Sequence, residues 1–270
     1  GSLGWNLFRL STPLMAQMYI QAVYNLTDAF WLGKLSSRAL TAPGVSIPFV
    51  FIVFALAMGF GNGGSALVSQ YAGAGRHDDA DRAAGQTLLL LTSVSVVLSG
   101  LILLFTRPLL ALAQVPAEVL DMANGYLRIY ILGTPFIACT LAYSSALRSL
   151  GDTLTVVYIN GAASLLNLVL DPILIFHFGL GVEGAAIASV AAQLSAAVAC
   201  LVLLHKGRSG LKLTLTDLKP DGRMLRQIVR IGLPAAVSMS SNSFGYMVFQ
   251  SFVNNRSEEH TSELQSPNTI

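Results

Sequence analysis

Residues 153–176 read TLTVVYINGAASLLNLVLDPILIF. This stretch is long enough to cross a bilayer, which takes about 20 apolar residues, and its single charged side chain is Asp171. A carboxylate near the centre of a spanning helix costs roughly 2.5–3.5 kcal/mol on insertion scales. The segment therefore predicts a transmembrane helix whose acid has a partner, a hydrated cavity or a function.

A second apolar segment, residues 10–32, repeats this arrangement around Asp28. In both segments the acid completes a polar stripe at positions i, i+4, i+7 and i+11, which is one face of an α-helix. The stripes are Gln17, Gln21, Tyr24 (with Asn25 beside it) and Asp28, and then Asn160, Ser164, Asn167 and Asp171. We interpret these faces as the lining of a transport pathway, because a lipid-facing wall would not carry them.

Apolar segments of spanning length recur along almost the whole chain. The 270 residues are 53% hydrophobic and only 11% charged, against about 25% charged in soluble domains. The predicted spans are Leu10–Leu32, Pro43–Gln70, Ala84–Phe105, Tyr126–Leu147, Thr153–Phe176 and Val182–Leu204, followed by the start of a seventh at Ile228–Val253. The expected fold is an all-α membrane protein: a six-helix transmembrane bundle plus the start of a seventh helix.

Lysine and arginine positions predict the orientation of this bundle. With a cytoplasmic N-terminus, eleven of these residues fall inside and four outside. The sequence thus predicts a multi-pass protein of the cell membrane with its N-terminus in the cytoplasm. No basic face suited to nucleic acid is evident, so the lipid bilayer is the expected partner surface.

This topology places the two acids at one depth. Asp28 lies four residues from the outer end of its span and Asp171 five, or about 6–8 Å at 1.5 Å per residue. Ser189 lies seven residues into the sixth span, near about 10 Å. We expect Asp28, Asn167 and Asp171 to converge on one cavity, with Ser189 close by.

The domain organisation predicted is a six-helix lobe over residues 1–204, a cytoplasmic linker over 205–226 and the first helix of a second lobe over 227–255. The sequence RLSTP at residues 9–13 is echoed by RIGLP at 230–234, as expected for two similar bundles in parallel. The seventh helix, lacking its own lobe, is expected to be loosely held or docked in a non-native way.

The last fifteen residues, Arg256–Ile270, are abruptly polar. RSEEHTSELQS resembles the translation of a sequencing-library adapter, so this tail is interpreted as non-native and the chain as a truncated fragment.

Three motifs carry a family resemblance. Residues 13–40 (PLMAQMYIQAVYNLTDAFWLGKLSSRAL), SALVSQYAGAG at 65–75, and LLNLVLDPILIF at 165–176 followed by GLGVEGAAIASV at 179–190 resemble helices one, two, five and six of multidrug and toxic compound extrusion (MATE) transporters. The resemblance is to the DinF-like branch and covers residues 5–254, roughly the N-terminal lobe and the start of the next.

The resemblance implies a cation-coupled antiporter, and no enzyme, that exports amphipathic or cationic organic compounds. It implies an ion-coupling site at Asp28, Asn167, Asp171 and Ser189, with Pro13 as the bending proline of the first helix. Pro172, directly after Asp171, is a second candidate for helix bending because it frees a backbone carbonyl. No cofactor is expected. The coupling ion is H⁺ or Na⁺, and the same four residues offer the oxygen ligands that Na⁺ would accept. The missing C-terminal lobe would be required for transport.

Three other functions are alternatives to an exporter. A lipid-linked sugar flippase of the same superfamily is expected to have several cationic residues within the bundle. An intramembrane prenyltransferase would need two aspartate-rich loop motifs, and DDAD at residues 78–81 has no second copy. A non-functional partial product is the third alternative.

Overall fold

The computed structural model describes residues 3–113, 115–207, 211–214 and 216–239. The helices are α1 (Leu3–Leu35), α2 (Ser37–Gly73), α3 (His77–Leu104), α4 (Thr106–Leu112), α5 (Ala117–Ser149), α6 (Leu154–Pro172) with a π-helical turn (Ile173–His177), and α7 (Gly181–Lys206). Residues 222–239 form a further helix, α8. The fold is a helical membrane bundle, as predicted.

Five helices are long and apolar enough to cross a membrane within the described part of the chain: α2, α3, α5, α6 with its π turn, and α7. Helix α1 has the length of a span, with 33 residues, but does not reach the same hydropathy. Its polar stripe, with Gln17, Gln21, Asn25 and Asp28, accounts for the difference. The six predicted spans thus correspond to these five helices and to α1, which carries a polar stripe and packs mainly on α6.

The helices extend beyond their predicted ends. Helix α3 begins at His77, well before the predicted start of its span at Ala84, and Asp78 and Asp79 occupy its first turn. Acidic side chains are favourable there, where the helix dipole is positive. Arg76 also pairs with Asp79 at 2.7 Å. The connection after α3 contains the short helix α4.

Helix α5 lies at the centre of the bundle, where α2, α3 and α7 pack against it, and α1 packs mainly on α6. Many of the buried contacts are made by alanine, and small residues let membrane helices approach closely. Large apolar side chains point outward instead, as expected of a surface facing lipid. They include Met18, Leu26, Leu101, Leu104, Tyr158 and Leu165.

Helix α8 packs tightly against α2. A Cβ atom placed on Gly63 would lie 2.4 Å from the Ile228 carbonyl oxygen, and one on Gly232 would lie 2.7 Å from the Gly59 carbonyl oxygen. Glycine at these positions therefore permits the close approach of the two backbones. Of the two alternatives expected for the seventh helix, loosely held or docked in a non-native way, these contacts exclude a loose attachment for its described part. Residues 240–255 and the tail from Arg256 lie outside the described residues.

The stretch predicted as a linker packs on the first turns of α3. Leu211 is buried at 1% exposure. The fully buried Gln86 donates to the carbonyl oxygens of Asp217 and Lys219, both at 2.7 Å, and accepts from the N–H of Asp221 at 2.9 Å. One side chain thus satisfies three backbone groups of the connection that leads into α8.

Candidate functional site

The two membrane acids meet between α1 and the end of α6. The carboxyl groups of Asp28 and Asp171 lie within hydrogen-bonding reach of each other, and Asp171 is completely buried. Asn167, one helical turn before Asp171, donates its amide N–H to Oδ1 of that residue at 3.2 Å. A hydrogen bond between two carboxyl groups requires that one of them carry a proton. This geometry is therefore suited to holding a proton.

Other oxygens of the same three side chains are left without partners. Oδ1 of Asp28, Oδ1 of Asn167 and Oδ2 of Asp171 are buried and accept no hydrogen bond from the described residues. A buried acceptor that stays unsatisfied costs about 1–3 kcal/mol. These three oxygens supply the hard ligands that a small cation or a proton would satisfy.

Ser189 joins the site through a tyrosine. The Tyr24 hydroxyl on α1 donates to Oγ of Ser189 on α7 at 2.8 Å, and Ser189 is 1% exposed. Tyr24 also lies close enough to interact electrostatically with Asp28. The four residues predicted as the coupling site are therefore brought to one region, with Ser189 linked through Tyr24.

Two tyrosines of α5 complete the surroundings and were not singled out from the sequence. The rings of Tyr126 and Tyr130 stack with centroids 5.5 Å apart, and both residues interact electrostatically with Asp28. Their i, i+4 spacing in a predicted span was the available signal, since such residues share a helix face. Neither tyrosine belongs to a polar stripe that ends in an acid, which was the pattern that marked the other site residues.

The two candidate bending prolines lie in different local structures. Pro13 is within the continuous helix α1. Pro172 ends α6, and the chain passes directly into the π-helical turn. Proline cannot donate the N–H of a regular turn, and π turns occur often at functional sites. The irregular winding thus begins at Ile173, two residues after Asp171.

Two cavities with polar side chains in their linings adjoin this site, and they are named outer and inner after the predicted orientation. The outer cavity, of about 520 Å³, is lined by Asp28 together with residues of α1, α2 and α5. The inner cavity, of about 390 Å³, extends toward the end of the bundle where α5 terminates. All six residues predicted to line a pathway contribute to the inner cavity: Gln17, Gln21, Tyr24, Asn25, Asn160 and Ser164.

The donor set limits which ions fit. Within the part of the chain that the structure describes, no group of three His, Cys, Asp or Glu side chains is placed to hold a metal. The convergent carboxyl, amide and hydroxyl oxygens suit a proton or a hard monovalent cation, since Na⁺ can take amide and hydroxyl oxygens as ligands. They do not suit a transition metal, which prefers nitrogen or sulfur.

A multi-pass helical bundle with a buried carboxyl pair beside polar cavities is the architecture of a secondary membrane transporter. The MatE family model matches residues 13–173, more than half of the chain. The chain belongs to this family of transporters.

Curated relatives agree with this assignment. The chain is 30% identical over 266 residues to "Probable multidrug resistance protein YoeA" of Bacillus subtilis (strain 168), covering 96% of this chain and 58% of the relative. It is 25% identical over 252 residues to the multidrug export protein MepA of Staphylococcus aureus (strain NCTC 8325 / PS 47), covering 92% and 55%. The chain thus spans about half the length of the curated relatives it matches.

Solved structures give the same result. A MATE protein in a bent conformation superposes with a TM-score of 0.83 at 31% identity, covering 92% of this chain and 55% of that one. A straight conformation gives 0.83 at 31% identity, covering 91% and 55%. An MOP superfamily transporter from Pyrococcus furiosus gives 0.82 at 32% identity, covering 91% and 55%.

Proposed function

We propose that this chain supplies the N-terminal lobe of a cation-coupled exporter of amphipathic or cationic organic compounds. The contact between the Asp28 and Asp171 carboxyl groups, buried beside two polar cavities, carries the proposal. Membrane helices rarely bury a carboxyl pair without an ion-coupling role. The names of the B. subtilis and S. aureus relatives, which describe multidrug resistance and export, support the choice of substrate class.

In the proposed cycle the acid pair alternates between a loaded and an unloaded form. When a proton is bound, it sits between the two carboxyl groups and the pair carries one negative charge at most. When the proton leaves, two carboxylates in contact repel each other and attract a cation or water. The pair titrates as a unit, so the proton belongs to both acids.

Helix α1 is the proposed moving element. It contributes Asp28 and Tyr24 to the site and contains Pro13 one half-helix away. Loading Asp28 would remove the charge that favours a hydrated cavity, and α1 would then bend at Pro13 and close the cavity. That MATE proteins have been solved in both bent and straight conformations supports a bistable helix.

Sodium is the alternative coupling ion at the same place. Its proposed ligands are the unpartnered oxygens of Asp28, Asn167 and Asp171, with the Ser189 hydroxyl nearby. Na⁺ and a proton would compete, because both bind the unloaded carboxylates.

The flippase alternative is less well supported. Binding a lipid diphosphate would require several cationic side chains within the lobe. The two cavities between the described helices contain one such side chain, Arg148. The acid pair gives the outer cavity the opposite charge, which suits cationic compounds.

The competing ions can be tested on the purified chain in detergent. An unbuffered sample is titrated with NaCl, or with KCl as the control, while a pH dye records released protons. Sodium coupling predicts proton release with NaCl that Asp28→Asn abolishes, and proton coupling predicts none. Equal release by both salts, unchanged in Asp28→Asn, would remove the acid pair as the site of ion exchange.

The two-lobe account is tested by drug resistance. Cells expressing this chain alone are compared with cells expressing a transporter in which a second lobe completes it, at matched membrane levels. We expect resistance only from the completed protein, because alternating access rocks one bundle against another. Equal resistance from the chain alone would refute the account.

A further inference from the structure

The inner cavity contains a charge that the coupling site does not use. Arg148, in the last turn of α5, lines this cavity together with neutral polar side chains. No aspartate or glutamate lines it. The cavity thus has a positive charge where the outer cavity, which contains Asp28, has a negative one.

Arg148 is half-buried and forms no ion pair with any acid in the described ranges; the four ion pairs found there involve Arg38, Arg76, Arg82 and Arg107. The nearest acid in sequence, Asp152, is engaged elsewhere. Its carboxylate accepts from the N–H of Thr155 at 3.1 Å and from the Thr155 hydroxyl at 2.7 Å. An arginine at the C-terminal end of a helix is favourable in itself, but that does not explain a side chain turned to a cavity.

The two cavities share part of their lining. Tyr24, Asn25, Val50, Phe54 and Tyr130 line both. A water occupies roughly 30 Å³ in the liquid, so each cavity has room for several. Arg148 lies about 27 Å along α5 from Tyr130, one of the shared residues, at 1.5 Å per residue.

An antiporter must keep its loaded site from exchanging with both sides of the membrane at once. We propose that Arg148 acts as an electrostatic barrier. Its positive charge keeps cations at the inner end of the lobe from reaching Asp28 and Asp171 through the inner cavity. The inference rests on the proposed ion-coupling function.

Basic residues can exclude cations and protons from water-filled pores in this way. The field of Arg148 is effective because the cavity wall is a low-dielectric environment and contains no neutralising acid. Lysine would preserve the barrier since it retains the charge, whereas glutamine would preserve only the polarity.

The test measures passive proton entry into liposomes that contain the purified full chain and an internal pH dye. After an acid pulse, Arg148→Gln should admit protons about tenfold faster than the unmodified chain, while Arg148→Lys should not. Arg128→Gln, an exposed arginine of the same helix, is the matched control and should have no effect. Equal leak in the unmodified chain and Arg148→Gln would overturn the barrier.

A double variant separates this inference from the proposed function. Adding Asp28→Asn to Arg148→Gln should return the leak to the level of the unmodified chain, because the protons pass through the acid pair. A leak that survives Asp28→Asn would retain the barrier and contradict the coupling role of Asp28.

Chemical modification gives a second readout that does not depend on leak. In a Cys139→Ala and Cys200→Ala background, Ser144→Cys places a thiol on the inner cavity wall. The ratio of its reaction rates with an anionic and a cationic methanethiosulfonate should fall about tenfold when Arg148→Gln is added. An unchanged ratio would show that Arg148 does not set the potential of the cavity.

Discussion

Tyr24 and Ser189, 165 residues apart in the chain, share a hydrogen bond of 2.8 Å that joins α1 to α7 beside the acid pair. It is a side-chain link between the proposed moving helix and the rest of the lobe. Because this bond is partly buried, it should contribute measurably to the stability of the contact between α1 and α7.

We expect Tyr24→Phe and Ser189→Ala each to lower the free energy of unfolding by about 0.5–1.5 kcal/mol, the net value of one hydrogen bond. Because both changes remove the same bond, the double variant should cost little more than either single one. Thermal unfolding of the detergent-solubilised chain measures this. Thr27→Val is the control, since the Thr27 hydroxyl bonds only within its own helix, to the Val23 carbonyl. Fully additive single effects would show that Tyr24 and Ser189 act separately.

The contact between α2 and α8 predicts a strong effect of a single methyl group. Gly63→Ala places a Cβ atom against the Ile228 carbonyl, so the backbones must separate, at a cost of about 1–3 kcal/mol typical of overpacking. Gly100→Ala, where no atom lies within 4 Å of the added Cβ, should be neutral or slightly stabilising. The melting temperatures of both variants decide the matter. A Gly63→Ala protein as stable as Gly100→Ala would mean that α8 is not packed on α2 as described.

Gln86 should stabilise the connection before α8, residues 217–221, through its hydrogen bonds. Gln86→Leu leaves three backbone groups of residues 217–221 without their buried partner, at about 1–3 kcal/mol for an unsatisfied polar group. We expect faster proteolysis in this connection and a lower melting temperature. Gln70→Leu, an exposed glutamine at the end of α2, provides the comparison. If limited proteolysis cuts both variants equally, the connection is held by other contacts.

Asp221 predicts a pH-dependent part of the same attachment. The backbone N–H groups of Met224 and Arg223, together with the Arg82 guanidinium, hold the pKa of Asp221 below its usual value. A carboxyl whose pKa is lower in the folded state stabilises the protein above its ordinary pKa of about 4, and this contribution is lost as the pH falls through the folded pKa. Asp221→Asn should therefore lower the melting temperature at about pH 7, and this difference should shrink as the pH falls below about 4. A difference that persists unchanged under acid would exclude ionisation of Asp221 as its cause.

Which contacts could be predicted from the sequence depends on how far apart in the chain the contacting residues lie. Asp28 and Asp171 were placed at one depth by helical periodicity and span length, and their contact depends in addition on the packing of α1 against α6. Gln86 could not be recognised, because its three partners lie more than 130 residues away and nothing around it in sequence marks it. The role of Gly63 was equally hidden, since it depends on the approach of α8.

Arg148 shows a different limit. In the sequence it counts as one of the cytoplasmic arginines that orient the protein, and that interpretation is adequate for topology. Only the placement of its side chain against Gln17, Asn160 and Gln193 in a common cavity distinguishes it from the others. The π turn after Pro172 is similar: the proline predicted an irregularity, but its form is set by packing.

The central claim is that the Asp28–Asp171 pair couples ion movement to export. Its most direct test is ion-driven export of ethidium by everted vesicles containing this chain completed with a second lobe. Asn retains the size of Asp and one acceptor but neither exchanges a proton nor carries charge. Asp28→Asn and Asp171→Asn should each abolish export at unchanged membrane levels. Glu118→Gln, which removes only an exposed ion pair with Arg38 of small value, should export normally. Undiminished export by Asp28→Asn would contradict the account.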